Sequence, residues 1–179
     1  MFKIEKYRST IAAFLGIFYL VLIGTIGFSG SQSDAGRKAR TSGPKQVILQ
    51  YEKALNAGNV DKIVELYAKD GVFMAQHQKP ALGQKQVKRA YQGVFKMIRL
   101  AIKFSIDELV KVSPTVAYAR TRSAGITTIV ANGAKVPEGN QEIFILKRKN
   151  TSSPWKISRY IFSTTNPRPT PCSSPKAKK

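Results

Sequence analysis

Residues 51–73, YEKALNAGNVDKIVELYAKDGVF, decide the fold. Gly58 is the residue type that ends a helix in the left-handed region, and Asn59 is a good N-cap for a following helix. Asp70-Gly71 then interrupts the pattern before Val72 and Phe73. The stretch therefore predicts two short helices joined by a sharp elbow and followed by a first strand. Their apolar faces are formed by Tyr51, Ala54 and Leu55, and by Val60, Ile63, Val64 and Tyr67.

The rest of the domain reads as one helix and four long strands. Residues 84–97 restore the helical period, and residues 98–106 alternate strictly between apolar and polar. A bend with a bulge is expected at Gly125 in the next strand, and Asn132-Gly133 is a typical hairpin turn. Three helices on a curved antiparallel sheet give an α+β domain. The three later strands are predicted at residues 115–131, 138–149 and 154–164.

The last predicted strand is apolar on both of its faces. Trp155, Ile157 and Ile161 alternate with Tyr160 and Phe162. An antiparallel sheet with one solvated face should carry polar residues on that side. The second face is therefore expected to pack against something or to bind a partner.

The order and spacing of these residues resemble the nuclear transport factor 2-like superfamily, which includes SnoaL-like and ketosteroid-isomerase-like domains. The resemblance covers residues 44–167. It implies a cone-shaped domain over residues 44–166 that encloses a mainly apolar cavity, and a homodimer formed through the outer sheet face. The residues that carry it are Tyr51, Ala57, Gly58-Asn59, Asp61, Leu66-Tyr67, Asp70, Pro80, Gly83 and Trp155-Lys156-Ile157.

The resemblance also assigns candidate site residues. It places Tyr51 at the tyrosine position and Glu142 at the strand-acid position of a ketosteroid isomerase, but Ala75 where the base carboxylate should be. A methyl group cannot accept a proton, so a competent ketosteroid isomerase is not expected. His77 is either a substitute base or an exposed loop residue. The candidate ligand-binding residues are Tyr51, Tyr67, Phe73, Ala75, Tyr91, Phe95, Glu142 and Phe144.

Glu142 has two open interpretations. It shares a strand face with Phe144 and Leu146, which points its carboxyl toward the core. A carboxyl on an apolar face must be paired, protonated or functional. It is therefore either an ion-pair partner of Arg120 or Arg122, or a catalytic acid.

The N-terminal region is expected to be a membrane segment. Residues 9–28 carry no charge and are long enough to cross a hydrocarbon core of ~30 Å. Residues 1–8 form a basic flank, residues 29–43 a flexible linker and residues 167–179 a disordered basic tail. An uncleaved anchor with the domain on the extracytoplasmic side is favoured, although Arg37, Lys38 and Arg40 oppose this orientation. The alternative is a cleaved signal and a secreted or periplasmic domain.

Composition narrows the function classes. The chain has 30 Lys and Arg against 10 Asp and Glu, but only one His and one Cys. No metal site or cofactor is predicted, because these residues do not supply ligands at useful spacing and no phosphate-binding or dinucleotide motif occurs. The leading hypothesis is a pocket for a small apolar or amphiphilic molecule. The alternatives are a cofactor-independent isomerase, dehydratase or cyclase, and a basic interaction module for anionic lipid or nucleic acid. Nucleic acid ranks below lipid, because no stacking aromatics interleave the basic residues of the last hairpin.

Overall fold

The computed structural model describes residues 43–166, and within them the chain forms three helices and six strands. The predicted α+β class is confirmed. No helix in this range is long and apolar enough to cross a membrane. The predicted anchor at residues 9–28 and the tail lie outside the described residues. The helices are α1 (Pro44–Asn56), α2 (Val60–Leu66) and α3 (Gly83–Met97), and the strands are β1 (Tyr67–Met74), β2 (Ala81–Leu82), β3 (Ile98–Ser113), β4 (Val116–Ile129), β5 (Lys135–Lys147) and β6 (Lys156–Thr164).

The helical elbow has the predicted local geometry. Gly58 adopts a left-handed φ of 61°, and the Asn59 side chain accepts a hydrogen bond of 3.0 Å from the Lys62 amide at the start of α2. The expected end of α2 was wrong, because the helix stops at Leu66 and Tyr67 already belongs to β1. Tyr67 pairs with a residue of β6, and this long-range pairing moves the start of β1 toward the N-terminus. The Asp70-Gly71 pair lies in the irregular part of β1 instead of separating helix from strand.

The sheet is mixed, which corrects the expectation of a purely antiparallel sheet. Its strand order is β2-β1-β6-β5-β4-β3, and β1 runs parallel to β6 while every other neighbouring pair is antiparallel. The β3–β4 and β4–β5 pairs follow directly along the chain. The β1–β6 pair forms only after the chain has built α3 and three further long strands. A connection of that length leaves no local signal for strand direction.

Gly125 does not mark a bulge. The register of β4 runs without interruption through Gly125, which lies opposite Ile102 on one side and Glu138 on the other. A Cβ built at this position would lie 2.1 Å from the Ala101 carbonyl oxygen. Glycine is therefore required by the close approach of β3. The irregularities lie instead in β3, between Ile106 and Glu108, and near its end.

A bulge in β6 decides which of its residues face the core. Ile157 pairs with Leu146 and Arg159 with Ile145, so Ser158 is the extra residue. Ile157 and Tyr160 are consequently both buried, whereas Ile161 faces outward. The predicted grouping of Ile157 with Ile161 on one face was therefore wrong.

The outer sheet face keeps some apolar surface. Ile161 lies opposite Ile143 across the β5–β6 ladder, and the two side chains are 45% and 38% exposed. The inner face packs against α1 and α3 and forms the core of the domain. The dimer expected through the outer face stays a prediction.

Replacing Gly125 by alanine should destabilise the domain by about 1–3 kcal/mol, because the new methyl group collides with the β3 backbone. Gly93→Ala is a matched control, since nothing lies within 4 Å of its built Cβ in α3. It should stabilise the helix by about 0.5–1 kcal/mol. Urea unfolding of the full chain measures both. Equal midpoints for the two variants would contradict the close-approach argument.

Candidate functional site

A cavity of about 140 Å³ lies between α1, α3 and the inner face of the sheet. Tyr51, Tyr91 and Tyr160 form its buried part, and the partly exposed Ala75 and Phe162 lie nearer to solvent. Its volume is close to that of the ~150 Å³ apolar cavity known to bind benzene. Pockets for drug-sized ligands begin at about 300 Å³. The space therefore suits a molecule of about one ring.

Three tyrosine hydroxyls meet beside the cavity. The Tyr91 hydroxyl on α3 is hydrogen-bonded to the Tyr51 hydroxyl on α1, and it lies 3.1 Å from the Tyr67 hydroxyl at the start of β1. Burial raises the pKa of each of these phenols well above its ordinary value. They therefore stay neutral and can act as hydrogen-bond donors. The trio also ties the two helices to the first strand.

Glu142 lies on the inner face of β5 and is 3% exposed. Its carboxyl accepts a hydrogen bond of 2.6 Å from the Ser123 hydroxyl and another from the Thr121 hydroxyl. Both donors come from β4, where Thr121 is the direct cross-strand partner of Glu142. Burial raises the pKa of Glu142, and this effect outweighs the opposing one of the two hydroxyls.

The ion-pair interpretation of Glu142 does not hold. Arg120 and Arg122 alternate with the buried Thr121 and Ser123 along β4, so they face the opposite side of the sheet. Both arginines bind the Asp107 carboxylate there at 3.0 Å. Glu142 is thus held by neutral donors alone.

A polar row continues from Glu142 toward the mouth of the cavity. The Asn140 amide nitrogen donates to the Ser123 hydroxyl at 3.2 Å and to the Glu138 carboxylate at 2.9 Å. The Thr127 hydroxyl donates to the other Glu138 oxygen at 2.8 Å. Among the described residues, the Asn140 Oδ1 atom is the buried side-chain oxygen without a hydrogen-bond partner. The row gives an otherwise apolar cavity one polar wall.

The structure brings five of the predicted site residues to the cavity surface: Tyr51, Phe73, Ala75, Tyr91 and Glu142. Tyr67, Phe95 and Phe144 are buried in the core but do not line the cavity. His77 lies on an exposed turn with a left-handed φ of 61°, and its Nε2 atom is 2.7 Å from the Gln76 amide nitrogen.

Sequence reasoning missed most of the sheet-side lining. The period-two series Glu138, Asn140 and Glu142, continued by Phe144, was the available signal, since these residues share one strand face. Within residues 43–166, no group of three His, Cys, Asp or Glu side chains is placed to hold a metal ion. The lining residues that the sequence did not indicate are Leu55, Val94, Ile98, Leu100, Ile102, Ser123, Glu138, Asn140, Tyr160 and Phe162.

Replacing Glu142 by glutamine should remove a pH dependence of stability. Above the ordinary glutamate pKa of 4.5 and below the raised pKa of Glu142, the folded protein keeps a proton that the unfolded chain has lost. The free energy of unfolding of the wild type should therefore fall as the pH rises through this window and stay lower above it. The variant should lack this fall.

Urea unfolding across this pH range measures the difference. Glu65→Gln is the control, because its side chain is 61% exposed on α2, and it should keep the wild-type profile. A fall of the same size in Glu142→Gln would show that burial of this carboxyl does not cause it.

Comparison with known proteins identifies the family. Residues 48–145 match the model of the SnoaL-like domain, whereas a comparison with curated proteins gave no match. A ketosteroid isomerase-like protein from Erwinia carotovora atroseptica is 28% identical, with a TM-score of 0.65, 69% of this chain and 94% of that chain covered. A putative scytalone dehydratase from Novosphingobium aromaticivorans shares the fold with a TM-score of 0.62 at 16% identity, and the match covers 82% of this chain and 98% of that chain. LinA shares it with a TM-score of 0.64 at 12% identity, and the match covers 74% of this chain and 90% of that chain. Because the family model spans more than half of the chain, the protein belongs to the SnoaL-like domain family of the nuclear transport factor 2-like superfamily.

Proposed function

We propose that the domain binds a small, mostly apolar molecule with one polar group in the cavity between α1, α3 and the sheet. The observation that carries the proposal is the difference in polarity between the walls of the cavity. Aromatic and aliphatic side chains line most of the cavity, while Ser123, Glu138, Asn140 and Glu142 supply a single polar side. An apolar cavity with a few convergent polar groups is typical of ligand sites. We further propose that residues 9–28 anchor the domain to a membrane, which their uncharged length supports.

Two observations argue against steroid isomerisation. Ala75 lines the cavity with a methyl group, where the resemblance requires a base. The volume of about 140 Å³ is well below the ~300 Å³ from which drug-sized ligands are accommodated. His77 does not replace the base in this arrangement, because it lies on an exposed turn outside the lining.

Toluene, a molecule with a single aromatic ring, tests whether the cavity binds a ligand. Toluene should raise the Tm of the wild type by binding the folded state alone. Ala75→Leu fills part of the cavity and should abolish most of this rise. Ala101→Leu is the matched control on the exposed side of β3 and should keep it. The proposal fails if toluene raises the Tm of Ala75→Leu as much as that of the wild type, or if neither toluene nor its polar analogues of the same size bind the wild type.

A second candidate function is cofactor-independent proton transfer. The observation that favours it is the position of Glu138 in the cavity lining. Its carboxylate supplies the cavity with a proton acceptor, which the sequence analysis did not indicate. Glu138 would take an α-hydrogen from a small ketone while protonated Glu142 donates to the carbonyl oxygen, giving an enol. Reversal of both transfers in heavy water would return a deuteron to the carbon.

Exchange of the α-hydrogens of cyclopentanone, followed by NMR in heavy water, tests this candidate. Glu138→Gln should reduce protein-catalysed exchange by at least about 100-fold, the usual contribution of one general base. Glu108→Gln is the control, because Glu108 accepts from Tyr118 on the far side of the sheet. Exchange that is absent in the wild type, or equal in the two variants, excludes Glu138 as the base.

A further inference from the structure

The charges around the cavity have the opposite sign to those of the domain. Residues 44–167 contain 20 Lys and Arg against 8 Asp and Glu. Nevertheless the cavity lining includes two carboxyl groups, Glu138 and Glu142, and not one Lys, Arg or His. A random sample of this domain's charged side chains would give mostly cations. The cavity is thus an acidic site inside a basic domain.

No protein cation neutralises these carboxyl groups in the described residues. The four carboxyl oxygens of Glu138 and Glu142 accept hydrogen bonds from Thr121, Ser123, Thr127 and Asn140. All of these donors are uncharged. The described salt bridges use other acids, Asp61, Glu65, Asp107 and Glu108. Above the raised pKa of Glu142, where this carboxyl has lost its proton, negative charge at the cavity wall is therefore available to a ligand.

The remaining polar capacity of the wall consists of acceptors. A carboxylate offers about four lone-pair positions, of which each glutamate uses two here. Asn140 adds a buried Oδ1 atom that has no partner, while both hydrogens of its amide are already donated. A ligand group that only donates hydrogen bonds matches this wall, and a group that only accepts does not.

The apolar side of the cavity also favours a cation. Five aromatic rings line it, those of Tyr51, Phe73, Tyr91, Tyr160 and Phe162. The face of an aromatic ring carries negative potential and attracts ammonium groups. Aromatic rings together with carboxylates form the usual surroundings of a bound ammonium ion.

We propose that the cavity is selective for small amines in their ammonium form, with an apolar body of about one ring. This inference rests on the proposed ligand-binding function and adds the chemical class of the ligand. The ammonium group lies against the row of Glu138, Asn140 and Glu142, where its three N–H groups meet acceptors only. The ring lies among the aromatic side chains. A carboxylate ligand is excluded, because it would meet two like charges without a counterion.

Four probes of nearly equal size separate the effect of charge from that of size and of a neutral polar group: benzylamine, benzyl alcohol, benzoate and toluene. Dissociation constants are measured by NMR titration of the full-length protein at a pH above the raised pKa of Glu142, where this carboxyl is charged. Benzylamine should bind at least about tenfold more tightly than benzyl alcohol, which corresponds to ~1.4 kcal/mol. Benzoate should show no saturable binding.

Variants of the two carboxyl groups assign the selectivity. Glu138→Gln and Glu142→Gln should each lower the ratio of benzylamine to benzyl alcohol affinity by several-fold, and the double variant should bring it close to one. Glu108→Gln, on the far side of the sheet, should keep the wild-type ratio. A ratio that is unchanged in the double variant would overturn the role of the carboxyl groups.

The outcomes distinguish the two proposals. If toluene and benzyl alcohol bind but benzylamine binds no more tightly than the alcohol, selectivity for amines is refuted while ligand binding stands. If none of the four probes binds, the ligand-binding function fails and the amine inference fails with it. Preferential binding of benzoate would also overturn the inference, since it would require a positive cavity wall.

Discussion

Tyr51 is the side chain through which the layers of the domain are joined. Its ring centroid lies 5.1–6.4 Å from five other aromatic rings, which come from α3, β1, β3, β5 and β6. Four of these contacts are edge-to-face, an arrangement that adds to the free energy gained from burial alone. The cavity lies beside this aromatic cluster, between the helices and the sheet.

The cavity wall carries an energetic cost that the fold tolerates. Removing Glu142 from water raises the pKa of its carboxyl, because the charged form loses solvation. The Thr121 and Ser123 hydroxyls offset part of this cost by donating hydrogen bonds. A leucine at this position would avoid burying a carboxyl, but it would leave the buried Thr121 and Ser123 hydroxyls without their acceptor. Polar groups that weaken a core in this way are common where a protein must interact with a ligand.

Local pattern predicted much of the helical layer and of the hairpins. Gly58 and Asn59 determine the elbow because their preferred backbone and side-chain geometry depends on neighbours within four residues. The alternation of β3 and the Asn132-Gly133 turn are equally local. The predictions that failed involve distant partners: the start of β1 at Tyr67, its parallel pairing with β6, the bulge expected at Gly125 and the one found at Ser158. Each of these is selected by a strand that is far away in the sequence.

The candidate site likewise has features that the local sequence predicts and features that depend on strand pairing. The sequence by itself determined that Glu142 faces inward, since Phe144 and Leu146 on the same strand face are apolar, and that Ala75 carries no proton acceptor. Only the tertiary structure decided what meets Glu142. The β4–β5 register places Thr121 opposite it and turns Arg120 and Arg122 to the other face, where Asp107 binds them. Register depends on pairing between strands, and a shift of one residue would have exchanged the two sets of side chains.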